Sequence, residues 1–466
     1  MESRRLHLLC LSLLLLGGCT ADIADTGWPE PRPLGKEFAT YRPPVKPGEA
    51  AQPVIVEEPE GSITLRQALT LAMLHSPELA AVAWDVRMAE ARALQAGLPP
   101  NPEIGFDIES VASPRIVEST LSLGQVIFLS DKLARQKQVA RLDRDVAGWD
   151  WEAQRVRVYV ETTKAFVALV AAQERLTLAE EIVAVSQKLL DVAAQRVRSG
   201  KAAPLEEMKA KVELGSVQAD LEQARQAVLA ARQRVAASWG GMTPRFAQAQ
   251  GQLEVDDQVP ASGRVFSFLE QNPQVVRWAT EMQRRQAVVR LERRRAIPDL
   301  TLGGGFKQEK ADGEATAKGF TAGASIPIPI FDRNQGGIRE SQYNVAKGHQ
   351  ERRATKARVL TEMADAYQSM AAAHARAAIF GTQIVPEAQK AFDAATAGYN
   401  EGKFTYLDVL DAQRTVFDAR IQQLEAQTEH LTASADVEGL IGQSIGTIEQ
   451  AEEGTQETAT QESQEN

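Results

Sequence analysis

The sequence has few of the residues from which enzyme active sites and metal centres are built. It contains 2 cysteines and 5 histidines in 466 residues. It has no G-x-S-x-G, no phosphate-binding loop and no H-E-x-x-H, and the glycines at 303–305 lie in a strand pattern that opens no helix. The sequence therefore predicts no enzyme, no cofactor and no metal site. The histidines isolated along the chain are interpreted as surface or helix-seam residues: His75, His349, His374 and His430.

Aromatic residues and basic patches are also scarce. Phe, Trp and Tyr make up 6% of the chain, the formal net charge is −10, and Lys and Arg are scattered. A chain without a basic face has no electrostatic footprint for nucleic acid, so nucleic-acid binding is excluded. The abundant alanine suits narrow seams between helices better than a thick globular core.

The N-terminus has the pattern of an export signal. Arg4 and Arg5 precede an apolar stretch, 6–16, that is too short to span a bilayer as a helix. The sequence LLGGC at 15–19 resembles the processing box of bacterial lipoproteins. We therefore expect a signal peptide over 1–18 and a lipid on Cys19, with ordinary signal cleavage as the alternative. Thr20 follows the cysteine where an inner-membrane retention signal has Asp, which favours an outer-membrane anchor.

The segment that follows, 19–61, is rich in proline. Eight prolines lie between residues 20 and 60, and no apolar period is visible there. Such a composition is typical of a stiff, extended linker. The prediction is a tether that joins the lipid to the first helix without constraining it.

The remainder of the chain is a duplicated unit. RSGKAAPLEEMKA at 198–210 recurs as NEGKFTYLDVLDA at 400–412, each between two long helical patterns. Gly200 and Gly402 are expected to end a helix in the αL conformation. The predicted domains are a first repeat over 62–240, a linker over 241–262, a second repeat over 263–446 and a disordered acidic tail over 447–466.

Each repeat also contains two stretches with the two-residue period of β-strands. The predicted strands lie near 102–110, 118–129, 299–307 and 318–330, and each has one apolar and one small or polar face. Two interpretations remain: a soluble four-stranded sheet packed on a helix, or part of a membrane barrel wall. The export signal favours the second interpretation, part of a membrane barrel wall. Because about eight strands are the fewest that close a barrel, the chain must then oligomerise.

Long heptad patterns fill the rest of each repeat and predict coiled-coil packing. If it is continuous, the segment from 132 to 198 forms a helix of roughly 100 Å. The expected fold is mainly α, with two tandem units of helix, β-hairpin and long coiled-coil hairpin.

Taken together, the lipoprotein signal, the duplicated unit and the repeated turn resemble the TolC family of outer-membrane efflux channels. TLSLGQVIFLSDKLARQ (120–136), SIPIPIFDRNQGGI (325–338) and RSGKAAPLEEMKAKVEL (198–214) look most like its heavy-metal-cation branch, the CzcC-like and CusC-like channels. The resemblance covers about 62–446.

The resemblance implies a homotrimer that closes a 12-stranded barrel in the outer membrane of a Gram-negative bacterium and continues as a helical tunnel in the periplasm. The implied partners are a periplasmic adaptor (membrane fusion protein) and an inner-membrane pump of the resistance-nodulation-division type. The chain would be a passive duct for heavy-metal cations. The alternatives are a duct for organic toxicants or secreted proteins, and a structural coiled-coil lipoprotein or adaptor.

The resemblance also places a gate at the second turn. Asp408 and Asp411 match family positions whose carboxylates ring the closed tunnel entrance, and Tyr399 matches a gate position. Phe404 lies where some members have a gating arginine, and Lys209 matches Asp411 in the first repeat, so the ring is expected from the second repeat alone. The alternative is that both aspartates are solvated acids favoured by the helix dipole.

Four exposed residues at the two turns are the predicted adaptor contacts. They are Gly200, Lys201, Gly402 and Lys403. Plain helix termination is the alternative role for the glycines, and the two roles are compatible.

Overall fold

The fold consists of two similar halves, each with short helices, a strand pair and a long helical hairpin. The computed structural model describes residues 28–45, 57–112, 115–255, 258–311, 313 and 315–446. The first half contains β1 (Gly61–Thr64), α1 (Leu65–His75), α2 (Pro77–Gln95), β2 (Glu103–Ala112), β3 (Arg115–Phe128), α3 (Lys132–Arg198) and α4 (Pro204–Ala237). The second contains β4 (Phe246–Gln250), α5 (Ser262–Ser267), a 3₁₀ turn (Leu269–Gln271), α6 (Pro273–Arg295), β5 (Asp299–Ala311), β6 (Ala317–Ser325), α7 (Gln335–Ile379), a π turn (Phe380–Ile384), α8 (Val385–Asn400) and α9 (Tyr406–Ile441).

The short helices of both halves begin in the same way. Ser76 caps α2 and Asn272 caps α6, and in each case a proline occupies the first helical position. Proline fits there because the first N–H groups of a helix have no partner within it. Pro77 and Pro273 therefore mark helix starts. β1 pairs in parallel with β4, and both strands pack against α3 and α4 of the first half.

The four longer strands form one antiparallel sheet in the order β2-β3-β5-β6. One row across it is apolar on all four strands, because the register aligns Phe106, Leu121, Phe306 and Phe320. The neighbouring row points to the other face and consists of small residues: Gly105, Ser122, Gly305 and Thr321. The predicted two-faced sheet is confirmed.

The apolar face of this sheet is left open to the surroundings. Phe320 is 90% exposed and Ile104 is 77% exposed, so no helix of the described chain covers them. This observation argues against the soluble sheet packed on a helix. The outer strands β2 and β6 are each hydrogen-bonded on one side only within the described residues, which leaves two open edges.

The strand boundaries differ from the predictions at several points: β3 begins earlier, at Arg115, β5 runs on to Ala311, and the largest difference is at the end of β6. β6 ends at Ser325, whereas the alternation suggested a strand to about 330. Pro327 and Pro329 explain the difference, because proline has no N–H to contribute to the sheet. The apolar residues beyond β6 remain exposed in an irregular corner that leads into α7: Ile326, Ile328, Ile330 and Phe331.

The helical hairpins supply most of the fold. α3 has 67 residues and is uninterrupted, which corresponds to roughly 100 Å, as predicted. Its counterpart in the second half contains the π turn just before Pro386. A proline inside a helix removes one hydrogen bond and pushes away the carbonyl four residues earlier, and a wider turn accommodates that carbonyl.

The expectation of an unconstrained tether is wrong for residues 28–45. Arg155 donates hydrogen bonds to the carbonyl oxygens of Leu34 (2.8 Å) and Arg32 (3.1 Å), and Glu152 accepts from the Arg32 N–H at 2.7 Å. Trp28 packs edge-on against Trp151 at 4.9 Å. The segment turns at 33–38, and the buried ions of α3 hold its backbone in place.

Candidate functional site

The two repeated turns lie together at one end of the hairpins. A single apolar cluster joins them and contains residues from both halves: Leu189, Ala193, Ala210, Ala395, Tyr399, Tyr406, Val409 and Leu410. The turn between α3 and α4 and the turn between α8 and α9 therefore form one structural unit, which we call the hairpin tip.

Both turns of the hairpin tip have the same backbone geometry. Gly200 has φ +71° and Gly402 has φ +79°, which confirms the predicted αL conformation. In the first turn, the N–H of Lys201 donates to the carbonyl of Arg196 at 2.9 Å. In the second, Lys403 donates to Gly398 at 2.8 Å. This is the Schellman arrangement, so the glycines do perform the helix-ending role.

The helices that follow the two turns are capped differently. At the start of α9, the backbone N–H and the hydroxyl of Thr405 both donate to Asp408 at 2.8 Å, and the Thr405 hydroxyl accepts from the Asp408 N–H. These bonds, first from the backbone and then from the hydroxyl, hold the pKa of Asp408 below its ordinary value. α4 begins after Ala203 with no side-chain cap.

Asp411 lies one turn further along α9 than Asp408. It is exposed, and its carboxylate has no hydrogen-bond or ion-pair partner within the part of the chain that the structure describes. The two aspartates are therefore not equivalent. Asp408 is engaged in the cap of α9, whereas the carboxylate of Asp411 makes no such bond within the described residues.

Tyr399 is the centre of a buried polar connection between the two turns. Its side chain is 1% exposed, and its hydroxyl donates to Glu206 on α4 at 3.1 Å. Burial, together with the charge of Glu206 and the hydrogen bond to it, raises the pKa of Tyr399 to about 12. The phenol therefore stays neutral and remains a donor at physiological pH.

Arg196 and Tyr406 also contact Tyr399 and hold it in place. The guanidinium of Arg196 lies 4.3 Å from its ring centroid and also donates to its backbone carbonyl oxygen. Tyr406 packs edge-on at 6.2 Å. About two turns of helix further along α4 and α9, Arg414 of α9 forms an ion pair with Glu213 of α4, which is 11% exposed at its side chain.

Sequence analysis missed three of these residues. Arg196, Glu213 and Arg414 belong to no motif, and each finds its partner only because the two hairpins are packed side by side. Glu206 occupies in the first repeat the position that Asp408 occupies in the second. No signal in the sequence connects it to Tyr399, which lies 193 residues away.

The predicted adaptor contacts lie at the outer surface of the hairpin tip. Lys201 and Lys403 are exposed, and a side chain added at Gly200 or Gly402 would meet open space. Apolar side chains continue this surface along the starts of α4 and α9, each about half exposed or more: Leu205, Met208, Val212, Phe404 and Leu407. The tip thus offers glycine, lysine and apolar groups to a partner.

Other predicted features lie elsewhere. Cys19 and the signal peptide fall outside the described residues. No helix among the residues that the structure describes is long and apolar enough to cross a membrane. Within the same residues, no three His, Cys, Asp or Glu side chains converge on a point where they could hold a metal ion.

The fold defines a class of protein: a duplicated helix, strand-pair and long-hairpin chain with an uncovered apolar sheet at one end. The sequence model of the outer membrane efflux protein family matches residues 68–241 and 267–443. The chain therefore belongs to the outer membrane efflux protein family. Its members are outer-membrane channels and not enzymes.

Individual relatives agree with this assignment. The chain is 34% identical to the cobalt-zinc-cadmium resistance protein CzcC of Cupriavidus metallidurans over 85% of this chain and 94% of CzcC. It is 25% identical to the pyoverdine export outer membrane protein OpmQ of Pseudomonas putida, over 81% and 85% of the two chains. Among solved structures, CusC superposes with a TM-score of 0.69 over 87% of this chain and 99% of CusC, at 16% identity.

Proposed function

We propose that this chain is the outer-membrane channel of a tripartite efflux system and exports heavy-metal cations. The observation that carries the channel is the four-stranded sheet with an exposed apolar row and two open edges. Exposed apolar strands are unfavourable in water, and unpaired strand edges are unfavourable in lipid. Both problems are solved when further strands continue the sheet within a membrane.

Three copies would supply three times four strands, which makes twelve and is enough to close a barrel. In such a homotrimer β6 of one copy pairs with β2 of the next. The helical hairpins then continue the barrel as a tunnel into the periplasm. The lipid on Cys19 would add a second attachment to the outer membrane.

A periplasmic adaptor would dock at the hairpin tip. Its contacts are Gly200, Lys201, Gly402 and Lys403, with the adjoining exposed apolar residues as the interface core. An inner-membrane pump would supply the transport energy, because the chain is not an enzyme. The metal cargo is supported by the likeness to CzcC, a cobalt-zinc-cadmium resistance protein.

The gate would consist of three copies of the second turn. Asp411, exposed and without a partner among the described residues, would place three carboxylates around the axis, where they attract cations and repel one another. Asp408 would hold the start of α9 in position through its cap. Tyr399 would tie the second turn to the first through Glu206 and thereby favour the closed state.

The channel and its gate can be tested by recording from the protein in planar lipid bilayers. The Asp408→Asn, Asp411→Asn double variant should conduct more in the closed state or select less for cations, because the ring of charge is lost. Asp418→Asn, an exposed carboxylate about two turns further along α9, is the matched control. Unchanged conductance and selectivity in the double variant would refute the gate.

The cargo can be tested in cells that lack the gene. Restoring the wild-type gene should restore growth on cobalt, zinc or cadmium salts but not on organic toxicants. The second candidate, an organic cargo, is favoured by the likeness to the pyoverdine exporter OpmQ. Rescue on an organic compound alone would select that candidate.

A further inference from the structure

A cleft with apolar and cationic walls lies where the four-stranded sheet meets the helices. β3 ends at Phe128 opposite Asp299, where β5 begins, and β6 ends at Ser325 opposite Thr301, so these strand ends share one edge of the sheet. A cleft of about 540 Å³ opens there, between the end of α6 and the corner that follows β6. Its lining includes these residues: Arg295, Pro298, Pro327, Ile328, Phe331 and Asp332.

The apolar wall of the cleft is uncovered. Ile328 is 78% exposed and Phe331 is 89% exposed. They follow in sequence on the apolar row of the sheet, where Phe320 is also exposed. Exposed apolar surface therefore extends past the last hydrogen-bonded residue of β6, and a surface of this kind marks a contact with a partner or a membrane.

The opposite wall is the end of α6, which has an excess of positive charge. Its last six residues, RLERRR at 290–295, contain four arginines and one glutamate. Glu292 is already held by Arg295, with 2.6 Å between the charged atoms. Arg290 and Arg293 are exposed and have no hydrogen-bond or ion-pair partner among the residues that the structure describes. These two guanidinium groups are available to an anion from outside the chain.

The start of α3 lies against the end of α6 and adds to this charge. Arg294 and Arg135 share the carboxylate of Asp131, at 2.8 and 2.9 Å. The ranges 131–141 and 290–299 together contain eight Lys and Arg but three Asp and Glu, in a chain whose net charge is −10. The surface beside the cleft is therefore basic although the whole chain is acidic.

The acidic group of the cleft is engaged within its own turn. The Oδ1 atom of Asp332 accepts a hydrogen bond from the Asn334 N–H at 2.8 Å. Beside it, the Nε–H of Arg333 donates to the carbonyl oxygen of Pro329 at 3.1 Å. The terminal nitrogens of Arg333 have no partner within the described chain, so this exposed guanidinium also faces outward from the corner.

A phospholipid combines the two chemistries of the cleft in one molecule. Its phosphate suits guanidinium groups, which bind phosphate oxygens in pairs and lose little hydration in doing so. Its acyl chains suit exposed apolar side chains that adjoin a lipid-facing sheet. We propose that the cleft binds an anionic phospholipid of the periplasmic leaflet, with the phosphate on the arginines of α6 and the first part of an acyl chain against Ile328 and Phe331.

The choice of leaflet rests on the proposed channel. The helical hairpins extend from this edge of the sheet, and in that channel they lie in the periplasm. The cleft is then at the periplasmic surface of the outer membrane, where the headgroups are those of phospholipids. Its lining residues all belong to one chain, so lipid binding can be measured whether or not three copies assemble.

The experiment uses the full chain purified in detergent. Phosphatidylglycerol, which is anionic, or phosphatidylcholine, which has no net charge, is added with the same acyl chains, and retained lipid is counted by native mass spectrometry. The wild type should retain phosphatidylglycerol in preference. The Arg293→Gln, Arg295→Gln double variant should bind phosphatidylglycerol roughly 30-fold more weakly, about fivefold for each arginine, and should bind phosphatidylcholine as before.

The matched control is the Arg352→Gln, Arg353→Gln double variant. It removes the same charge from α7 at roughly 25 Å from the start of that helix, and it should bind both lipids like the wild type. The proposal is overturned if the wild type shows no preference for phosphatidylglycerol, or if the two double variants bind it equally well.

Phe331→Ser tests the apolar wall and the alternative that a second copy of the chain covers it. The variant should retain less of both lipids while the trimer persists. Loss of the trimer with unchanged lipid retention would assign the corner to the neighbouring copy and overturn the proposal. The same spectra report assembly: a wild type that stays monomeric would refute the barrel, and its preference between the two lipids would still decide on the cleft.

Discussion

The two hairpins of this chain share a turn but differ in what surrounds it. Gly200 and Gly402 end their helices with the same hydrogen bonds and the same αL backbone. The first turn then continues from an uncapped Ala203, whereas the second has the Thr405–Asp408 capping box. The duplicated part is thus the backbone, and the side chains around it have diverged.

The long helices that lead to the turns also differ. α3 is uninterrupted over 67 residues, while the matching helix of the second half is divided by a π turn before Pro386. Tyr399 and the exposed Asp411 are both in the second half. The two halves therefore differ in the continuity of their long helices as well as in the side chains near the turn.

The largest expected effect concerns the buried ion pair of the first half. Arg155 and Glu152 are 1% and 0% exposed, so Arg155→Met leaves a buried carboxylate without its counter-ion. We expect the free energy of unfolding to fall by about 3–5 kcal/mol, which thermal unfolding in detergent would measure. Arg285→Met in the more exposed ion network of the second half should cost less. Equal losses would contradict this difference between the halves.

The next effect concerns the connection between the two turns. Tyr399→Phe removes a hydrogen bond to the charged Glu206, worth about 1.5–3 kcal/mol. If the turns separate on opening, the closed state should lose stability by that amount, and single-channel recording should show roughly ten- to hundredfold more opening. Tyr406→Phe, a neighbouring buried tyrosine, is the control. The same increase in both variants would remove the special role of Tyr399.

A smaller effect compares the turn glycines directly. Gly200→Ala and Gly402→Ala each force a side chain into the αL region at about 1–2 kcal/mol, with open space around both. Thermal unfolding should therefore show matched losses. Because the backbone strain is the same in the two variants, a difference between them in crosslinking to the adaptor reports on docking alone. Unequal stability losses would show that the turns are not equivalent.

The smallest effect is a pH dependence that comes from the Asp408 cap. The pKa of Asp408 is lowered in the folded chain, so its capping contributes stability above the ordinary value of 3.8 and loses it as pH falls through the lower folded pKa. Asp408→Asn should flatten the acid limb of the stability curve, as followed by thermal unfolding between pH 5 and 3. An acid limb that keeps the wild-type slope in Asp408→Asn would contradict the assignment of the cap.

Local patterns predicted the elements of the fold well. The αL glycines, the proline helix starts and the two-faced strands each depend on residues within a few positions of one another. The end of β6 at Ser325 and the π turn before Pro386 could also have been predicted from nearby residues. In both places a proline lacks the backbone N–H that a strand or a helix needs for its hydrogen bonds.

The sequence by itself determined the duplication, the periods of its strands and helices, and the conformation of its turns, since these follow from backbone sterics and side-chain spacing. Only the tertiary structure decided which distant side chains meet. Tyr399 reaches Glu206, His374 lies against His430, and Arg155 binds the segment before β1 at Arg32 and Leu34. These contacts depend on how the long helices are rotated and aligned against each other. The alanine seams between the helices are nearly alike, so they do not select one alignment until the whole chain packs.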